Sequence, residues 1–372
     1  MVVSGGSFAC NRGRMPKQIS ISIDAMGGDR GPDTVIAGAD ISLSRHQDLT
    51  FRLVGDSARI KPALARYPNL ASRAEIVHTD LAVKMDDKPS VALRRGRWRS
   101  SMWRSIEAVK TGEATFAVSG GNTGALMAMS KFCLKTMPGI DRPAIAAIWP
   151  TVKAECLLLD AGATVEATSE QLVVFAFMGA AMARALHRLE RPRVALLNVG
   201  TEEVKGLEQI KQAHATLRAM PLPFDYRGFI EGDDIGHDAA DVVVTDGFTG
   251  NVALKTAEGT AKQVGQYLRE AMEQSLLSQL GGFIAQDAFR ILKARMDPRR
   301  SNGGVFLGLN GLVIKSHGGA DATGYASAID LGYDMARAGL VERLAQDLAA
   351  LPASRPDLSG SAETVSIGRQ GG

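Results

Sequence analysis

From residue 19 the chain alternates short apolar runs with longer stretches in which apolar residues recur at helical spacing. Ile19–Ala25, Leu49–Val54 and Glu75–His78 read as strands, and Asp33–His46 and Ala58–Arg66 between them read as helices. Alternation of this kind needs crossover connections, which predicts an α/β fold with a mostly parallel sheet covered on both faces. Further strands are predicted at Thr115–Val118, Ala144–Trp149, Glu155–Asp160, Arg193–Asn198 and Asp241–Thr245, and Val305–Lys315 resumes the sheet. Leu172–Ala183 is the longest apolar run. As a helix it reaches only ~18 Å, against ~30 Å of hydrocarbon in a bilayer, so it reads as a buried core helix. Thr249–Met296 is mostly helical and reads as two helices joined at Gly281-Gly282, a hairpin of about residues 260–297. Its apolar tip, Leu276–Ile284, calls for cover by a second copy of the chain, by lipid head groups or by the chain's own body.

In such sheets ligands collect beyond the carboxyl ends of the strands, so the turns there are where chemistry is sought. Ser119-Gly120-Gly121-Asn122-Thr123-Gly124 follows one predicted strand and opens a helix. Its glycines permit positive φ and close approach, and the helix dipole points at the same place, which together suit an anion. Thr245-Asp246-Gly247-Phe248-Thr249-Gly250 repeats the pattern before Asn251. Either turn alone is also an ordinary strand-to-helix connection. Asp24-Ala25-Met26-Gly27-Gly28-Asp29 ends the first strand, with Asp24 read as a turn cap and Asp29 left open. At Asn198-Val199-Gly200-Thr201-Glu202-Glu203 the glutamates oppose a phosphate, although Asn198 or Lys205 reaches such a site. Lys315-Ser316-His317-Gly318-Gly319 offers positive charge and a proton at a strand end.

Composition narrows the field. The 372 residues imply one large or two intimately joined domains. A net charge of +3 and 5% aromatic residues give little apparatus for nucleic acid. Cys10, Cys133 and Cys156 lack any CxxC spacing, so neither a disulfide framework nor a zinc site is indicated, and a reducing cytoplasm fits. The acidic stretch Glu231–Asp238 reads as a surface loop, and no metal site is expected. Arg94, Arg95, Arg97, Arg99 and Arg104 crowd Val91–Ser105 with only Glu107 near in sequence, as a solvated helix face or a docking surface for an acidic partner or phosphate. Residues 1–17 read as a disordered leader, 18–345 as the α/β domain, and 346–372 as a flexible tail.

Seven motifs in register, DAMGGD at Asp24, MDDKPSVALRR at Met85, SGGNTGALMA at Ser119, LDAGATVEAT at Leu159, NVGTEEVKG at Asn198, DVVVTDGFTGNVALKTAEG at Asp241 and GLNGLVIKSHGGAD at Gly308, resemble the bacterial phosphate acyltransferase family of the PlsX type. The resemblance runs from about Ile19 to Leu340. It implies an α/β/α sandwich similar to phosphate acetyltransferases and to the isocitrate and isopropylmalate dehydrogenases, and transfer of an acyl group from acyl carrier protein to inorganic phosphate for phospholipid synthesis. No cofactor is implied. On this reading phosphate sits at Ser119, Gly120, Gly121, Asn122 and Thr123, with Asp246, Gly247, Thr249 and Gly250 facing them. Lys255, Lys315 or His317 is expected to neutralise charge, and Asn198, Asn251 and Asn310 are the candidate oxyanion donors. Arg94, Arg95, Arg97 and Arg99 would dock the carrier protein. The tip with Leu280, Phe283 and Ile284 resembles a homodimer arm in peripheral membrane contact, handing product to a membrane glycerol-3-phosphate acyltransferase. The chain departs from the family's usual residues at Arg30, Gly120, Gly319 and Ala320. A phosphate acetyltransferase using coenzyme A thioesters and a nicotinamide-dependent β-decarboxylating dehydrogenase stay open as alternatives.

Overall fold

The computed structural model describes residues 18–295 and 302–349. The strands are β1 (Ile19–Asp24), β2 (Leu49–Gly55), β3 (Ala74–His78), β4 (Phe116–Ser119), β5 (Ala144–Pro150), β6 (Glu155–Leu159), β7 (Arg193–Leu197), β8 (Asp225–Ile230), β9 (Val242–Val244), β10 (Gly304–Leu307) and β11 (Leu312–Lys315). They form one sheet in the order β3-β2-β1-β4-β11-β10-β5-β6-β9-β7-β8. Most neighbours are parallel; the exceptions are β11 with β10, β10 with β5, and β5 with β6. Val305–Lys315 is therefore a hairpin rather than one strand, turned at Gly308, whose φ of +87° is open to glycine. β8 escapes the pattern because its sequence, DYRGFI, is polar and half-exposed at the sheet's edge.

Successive side chains of a strand point to opposite faces, and the burial pattern separates accordingly. Ala144, Ala146, Leu157 and Leu159 join one apolar cluster with Val35, Ile36, Phe175 and Ile329, from helices Pro32–Arg45, Ser169–His187 and Ala322–Arg337. Ile145, Ala147 and Val313 face a second cluster with Ile106 and Met129, from helices Ser101–Lys110 and Thr123–Leu134. The result is the expected three-layer α/β/α arrangement. Every residue from Leu172 to Ala183 is buried, so the long apolar run is a core helix. That helix is long and apolar enough to cross a bilayer, but 72% of it is covered by the protein.

Two helical expectations are corrected. Val91–Ser105 is not one helix: Pro89–Gly96 and Ser101–Lys110 are separated at Trp98, whose φ is +63°, and Ser100 caps the second by accepting from Trp103 N. The arm comprises three helices, Gly247–Glu273, Leu276–Ile284 and Gln286–Arg295. The joint lies at Gln274-Ser275, not at Gly281-Gly282. Ser275 is extended and accepts from Ser278 N, while Gly282 lies inside its helix, where a Cβ would come within 2.4 Å of Met272 Cε. The domain limit moves too, since the last helix, Leu340–Ala349, runs past residue 345. The expected leader, 1–17, and the tail from residue 350 lie outside the described residues.

One consequence of the strand directions governs the site. β1, β4, β11 and β5 run in one sense, whereas β6, β9 and β7 run in the other. The glycine turns after β4 and after β9 thus leave opposite ends of the sheet, with four strands between them. The 27-residue helix Gly247–Glu273 starts at the β9 end and packs Leu254 over β5 and β6. About 40 Å long at 1.5 Å per residue, it crosses to the β4 end and continues beyond it.

Candidate functional site

Three turns close on one another where β1, β4 and β11 end. Asp29 N donates to Gly318 O at 2.9 Å, and Ser316 N donates to Ser119 O at 2.9 Å. Ser119 Oγ donates to Asp24 Oδ2 at 2.7 Å and accepts from Gly121 N at 3.1 Å. A Cβ on Gly27 would stand 2.7 Å from Asp24 Oδ2 and 2.8 Å from Gly121 N. These glycines therefore bring backbone against backbone. Ser119 and Asp24 are buried beneath the turns, not presented to a ligand. Burial pushes the Asp24 carboxyl up, and the Ser119 hydroxyl and the Met26 and Gly27 backbone groups pull it back.

At the start of helix Thr123–Leu134, Asn122 accepts from Ala125 N at 2.9 Å. Its Nδ2 donates to Met85 O at 2.7 Å and to Asp87 O at 3.1 Å, so Asn122 fastens the Met85–Lys88 loop to the turn. Thr123 is exposed. The first N–H groups of a helix have no acceptor within it, so Thr123 and Gly124 open a twelve-residue helix with backbone donors that lack intrahelical partners.

Positive charge gathers beside the Gly120 turn that precedes this helix. Lys255 Nζ, from the crossing helix, lies 2.8 Å from His317 Nε2 and donates to Glu258 Oε2 at 2.8 Å. Burial first, then the Lys255 charge, push the His317 pKa down, which favours the neutral ring that accepts from Lys255. Lys315, at the end of β11, donates to Ser316 O and reaches Gly120 O at 3.5 Å. Burial pushes its pKa down to about 8, and Asp29 opposes that shift. The His317 N–H is held by Asn302 Oδ1 at 3.0 Å. Two lysines and a histidine thus meet at the turn after β11, a set whose charge is suited to a small anion. Among the described residues no group of three or more His, Cys, Asp or Glu side chains is placed to hold a metal.

Several sequence-predicted residues stand elsewhere. Asp246 caps its own helix, accepting from Thr249 N at 2.9 Å and Thr249 Oγ1 at 2.8 Å, and Gly247 N donates to Thr164 Oγ1 at 3.0 Å. A Cβ on Gly247 would lie 2.3 Å from Thr164 O, and one on Gly250 1.9 Å from Asp160 O. Those glycines seat the crossing helix on the turn after β6. The buried Asp160 organises that turn by accepting from Ile145, Gly162, Ala163 and Thr164 N–H groups. The expectation that Asp246–Asn251 faces Ser119–Thr123 is thus corrected: the third turn of the same helix, with Lys255 and Glu258, is what arrives. Asn251 is exposed one turn before Lys255. Asn198 ends β7 at the far end of the sheet, its Nδ2 donating to Gly200 O and Lys205 O at 3.1 Å. Asn310 is spent on Leu134 O and Thr136 O. The amide donors of both asparagines are thus engaged by backbone carbonyls.

The arginines divide. Arg94, Arg95 and Arg99 are exposed, but the Arg97 guanidinium is stacked 3.9 Å from the Trp98 ring and 4.0 Å from that of Phe132. Arg104 donates to His78 O at 2.7 Å. Leu280, Phe283 and Ile284 at the arm's tip are all exposed. Sequence reasoning missed Glu258 and Asn302. Glu258 had a signal, since Lys255 and Glu258 are three apart on one helix, the spacing of a surface ion pair. Asn302 had none, because its three bonds all run to residues distant in sequence.

The sequence profile of the fatty acid synthesis protein family matches residues 19–343. The chain is 59% identical over 351 residues to a phosphate acyltransferase of Xanthobacter autotrophicus, covering 93% of this chain and 99% of that protein. It is 59% identical over 331 residues to one of Agrobacterium fabrum, covering 89% and 94%. In structure it is similar to the EutD phosphotransacetylase of Staphylococcus aureus, with a TM-score of 0.54 at 17% identity over 87% of this chain and 94% of that one. A phosphotransacetylase of Streptococcus pyogenes gives 0.55 at 18% identity over 90% and 96%. The solved structures share the fold.

Proposed function

The chain belongs to the phosphate acyltransferase family, and we propose that the acyl group it transfers to phosphate is a fatty acyl group delivered as the thioester of an acyl carrier protein, the acyl phosphate then entering phospholipid synthesis. The observation that carries this reading is the contact of Lys255 with His317 in the turn after β11, whose Lys315 reaches Gly120 O in the turn that leads into helix Thr123–Leu134. Phosphate supplies its own nucleophilic oxygen, so the site needs no serine or cysteine nucleophile. Hydrogenphosphate sits against the Thr123 and Gly124 N–H groups and the lysines. Its oxygen forms a bond to the thioester carbonyl carbon, and the oxyanion that develops is stabilised by the same charges. The carbon–sulfur bond then breaks, and the proton released by phosphate passes to the departing thiolate through His317 and Lys255.

The exposed Arg94, Arg95 and Arg99 suit the acidic surface of the carrier protein. The apolar tip around Leu280, Phe283 and Ile284 suits a second copy of the chain and the face of a membrane, so the proposed location is the cytoplasm with peripheral membrane contact. There a membrane glycerol-3-phosphate acyltransferase would consume the product. The test is to mix pure protein with phosphate and palmitoyl thioesters of carrier protein or of coenzyme A, trapping acyl phosphate with hydroxylamine and counting released thiol. Product from the carrier thioester, lowered in His317→Ala with the fold intact, supports the reading. Product from coenzyme A alone favours the phosphotransacetylase alternative.

A further inference from the structure

Asn302 is buried where three elements meet the site. Its Oδ1 accepts from His317 N at 3.0 Å, and its Nδ2 donates to Ser316 Oγ at 3.0 Å and to Gly324 O at 2.6 Å. One side chain thus ties the entry to β10, the turn after β11 and the first turn of helix Ala322–Arg337. An asparagine amide has two donors and one acceptor oxygen, and every one of these is engaged here. Ser316 extends the chain of bonds, since its N–H donates to Ser119 O and Ser119 in turn bonds the buried Asp24.

The His317 ring itself is 58% exposed, and its side-chain partner is the terminal ammonium of a lysine that is 46% exposed. Such a pair gains little rigidity from itself, because two half-exposed side chains retain most of their rotamer freedom. Rigidity at His317 has to come from the backbone on which it stands. Gly318 and Gly319 follow it, and backbone bonds from Asp29 N to Gly318 O and from Ala320 N to His317 O restrain the turn on its far side. The bond from Asn302 to the His317 N–H is the side-chain anchor of that backbone.

We propose that Asn302 is a positioning residue for acyl transfer: by holding the backbone of Ser316 and His317 it sets the imidazole against Lys255 and the phosphate site. The inference rests on the reading of His317 given above. It differs from a purely structural role in one respect: the effect of Asn302 on turnover runs through His317.

A double-mutant cycle tests this. Asn302→Ala is expected to lower kcat for acyl phosphate formation roughly ten- to a hundredfold, the scale of a reacting group misplaced by about 1 Å, while KM for phosphate stays within about twofold. In a His317→Ala background the same change is expected to lower kcat by less than about twofold, because the group it positions is gone. Equal losses in both backgrounds, or an unchanged kcat in the single variant, overturn the proposal. If Asn302→Ala does not fold by circular dichroism, Asn302→Asp keeps the acceptor for the His317 N–H and loses both donors. It is expected to show a smaller loss that likewise vanishes with His317 removed, and a loss that persists there overturns the proposal. Wild-type protein making no acyl phosphate from either thioester overturns the functional reading, and this inference with it.

Discussion

Lys315 ends a strand among buried residues, and its ammonium is held by backbone carbonyls while burial draws its pKa from 10.5 to about 8. A lysine whose folded pKa is depressed binds its proton more weakly than the unfolded chain does between those two values. Folding stability from this group therefore rises as pH climbs from about 8 to 10.5, and below 8 the penalty is present in full. Lys315→Met is expected to be more stable than the parent at pH 7, with the advantage shrinking by pH 9.5, as read from urea midpoints at each pH. The same substitution should abolish acyl phosphate formation. In the parent, turnover at subsaturating phosphate should fall as pH rises through about 8, where the ammonium is lost. Its acid limb should lie below 6.5, the ordinary histidine value, because protonating His317 removes the acceptor for Lys255. A stability strained for function is a common pattern at such sites.

At the scale of elements, the helix Gly247–Glu273 links the two ends of the sheet, and its glycines are not equivalent. Replacing glycine by alanine inside a helix gains about 1 kcal/mol of propensity. At Gly265, where an added Cβ meets nothing within 4 Å, that gain should appear undiminished. At Gly250 the Cβ would fall 1.9 Å from Asp160 O, and the overpacking cost of about 3 kcal/mol outweighs the propensity. Gly250→Ala should therefore lower the melting temperature and Gly265→Ala raise it, a difference calorimetry resolves. The helix pair Pro89–Gly96 and Ser101–Lys110 makes a similar division among its arginines. Reversing the exposed Arg95 and Arg99 to glutamate should raise KM for the carrier protein severalfold at low salt and leave the melting temperature unmoved. Arg97→Ala should instead destabilise, because the guanidinium is packed between Trp98 and Phe132.

For the molecule as a whole, the arm is its least covered part. Leu276, Leu277, Phe283 and Ile284 are each at least 74% exposed, an apolar patch on the arm of an α/β body. A variant carrying Phe283→Asp and Ile284→Asp should lose flotation with anionic liposomes while retaining acyl transfer from carrier protein in solution; undiminished flotation would rule the tip out as the lipid contact. Sedimentation of the same variant tests separately whether the tip joins two copies of the chain.

Local pattern was enough for much of this architecture. Strand and helix periodicity depends on neighbours within a few residues, so the strands from β1 to β7, the buried helix through Leu172–Ala183 and the glycine turns at Ser119 and His317 were legible in the residues themselves. The joint at Ser275 was not, because a serine cap rather than apolar periodicity sets it, and the β10–β11 hairpin and the polar edge strand β8 were not, because each is decided by partners distant in sequence. So was the composition of the site. Two turns of nearly the same sequence have different places because β5 and β6 lie antiparallel, sending one turn to the end of the sheet where Lys315 and His317 lie and the other to the opposite end. Sequence alone determined the chemistry on offer, lysines, a histidine and a helix opening at strand ends; only the tertiary pairing of strands, which no local preference encodes, decided that Lys255 and His317 meet and that Asp246 and Asn198 stay away.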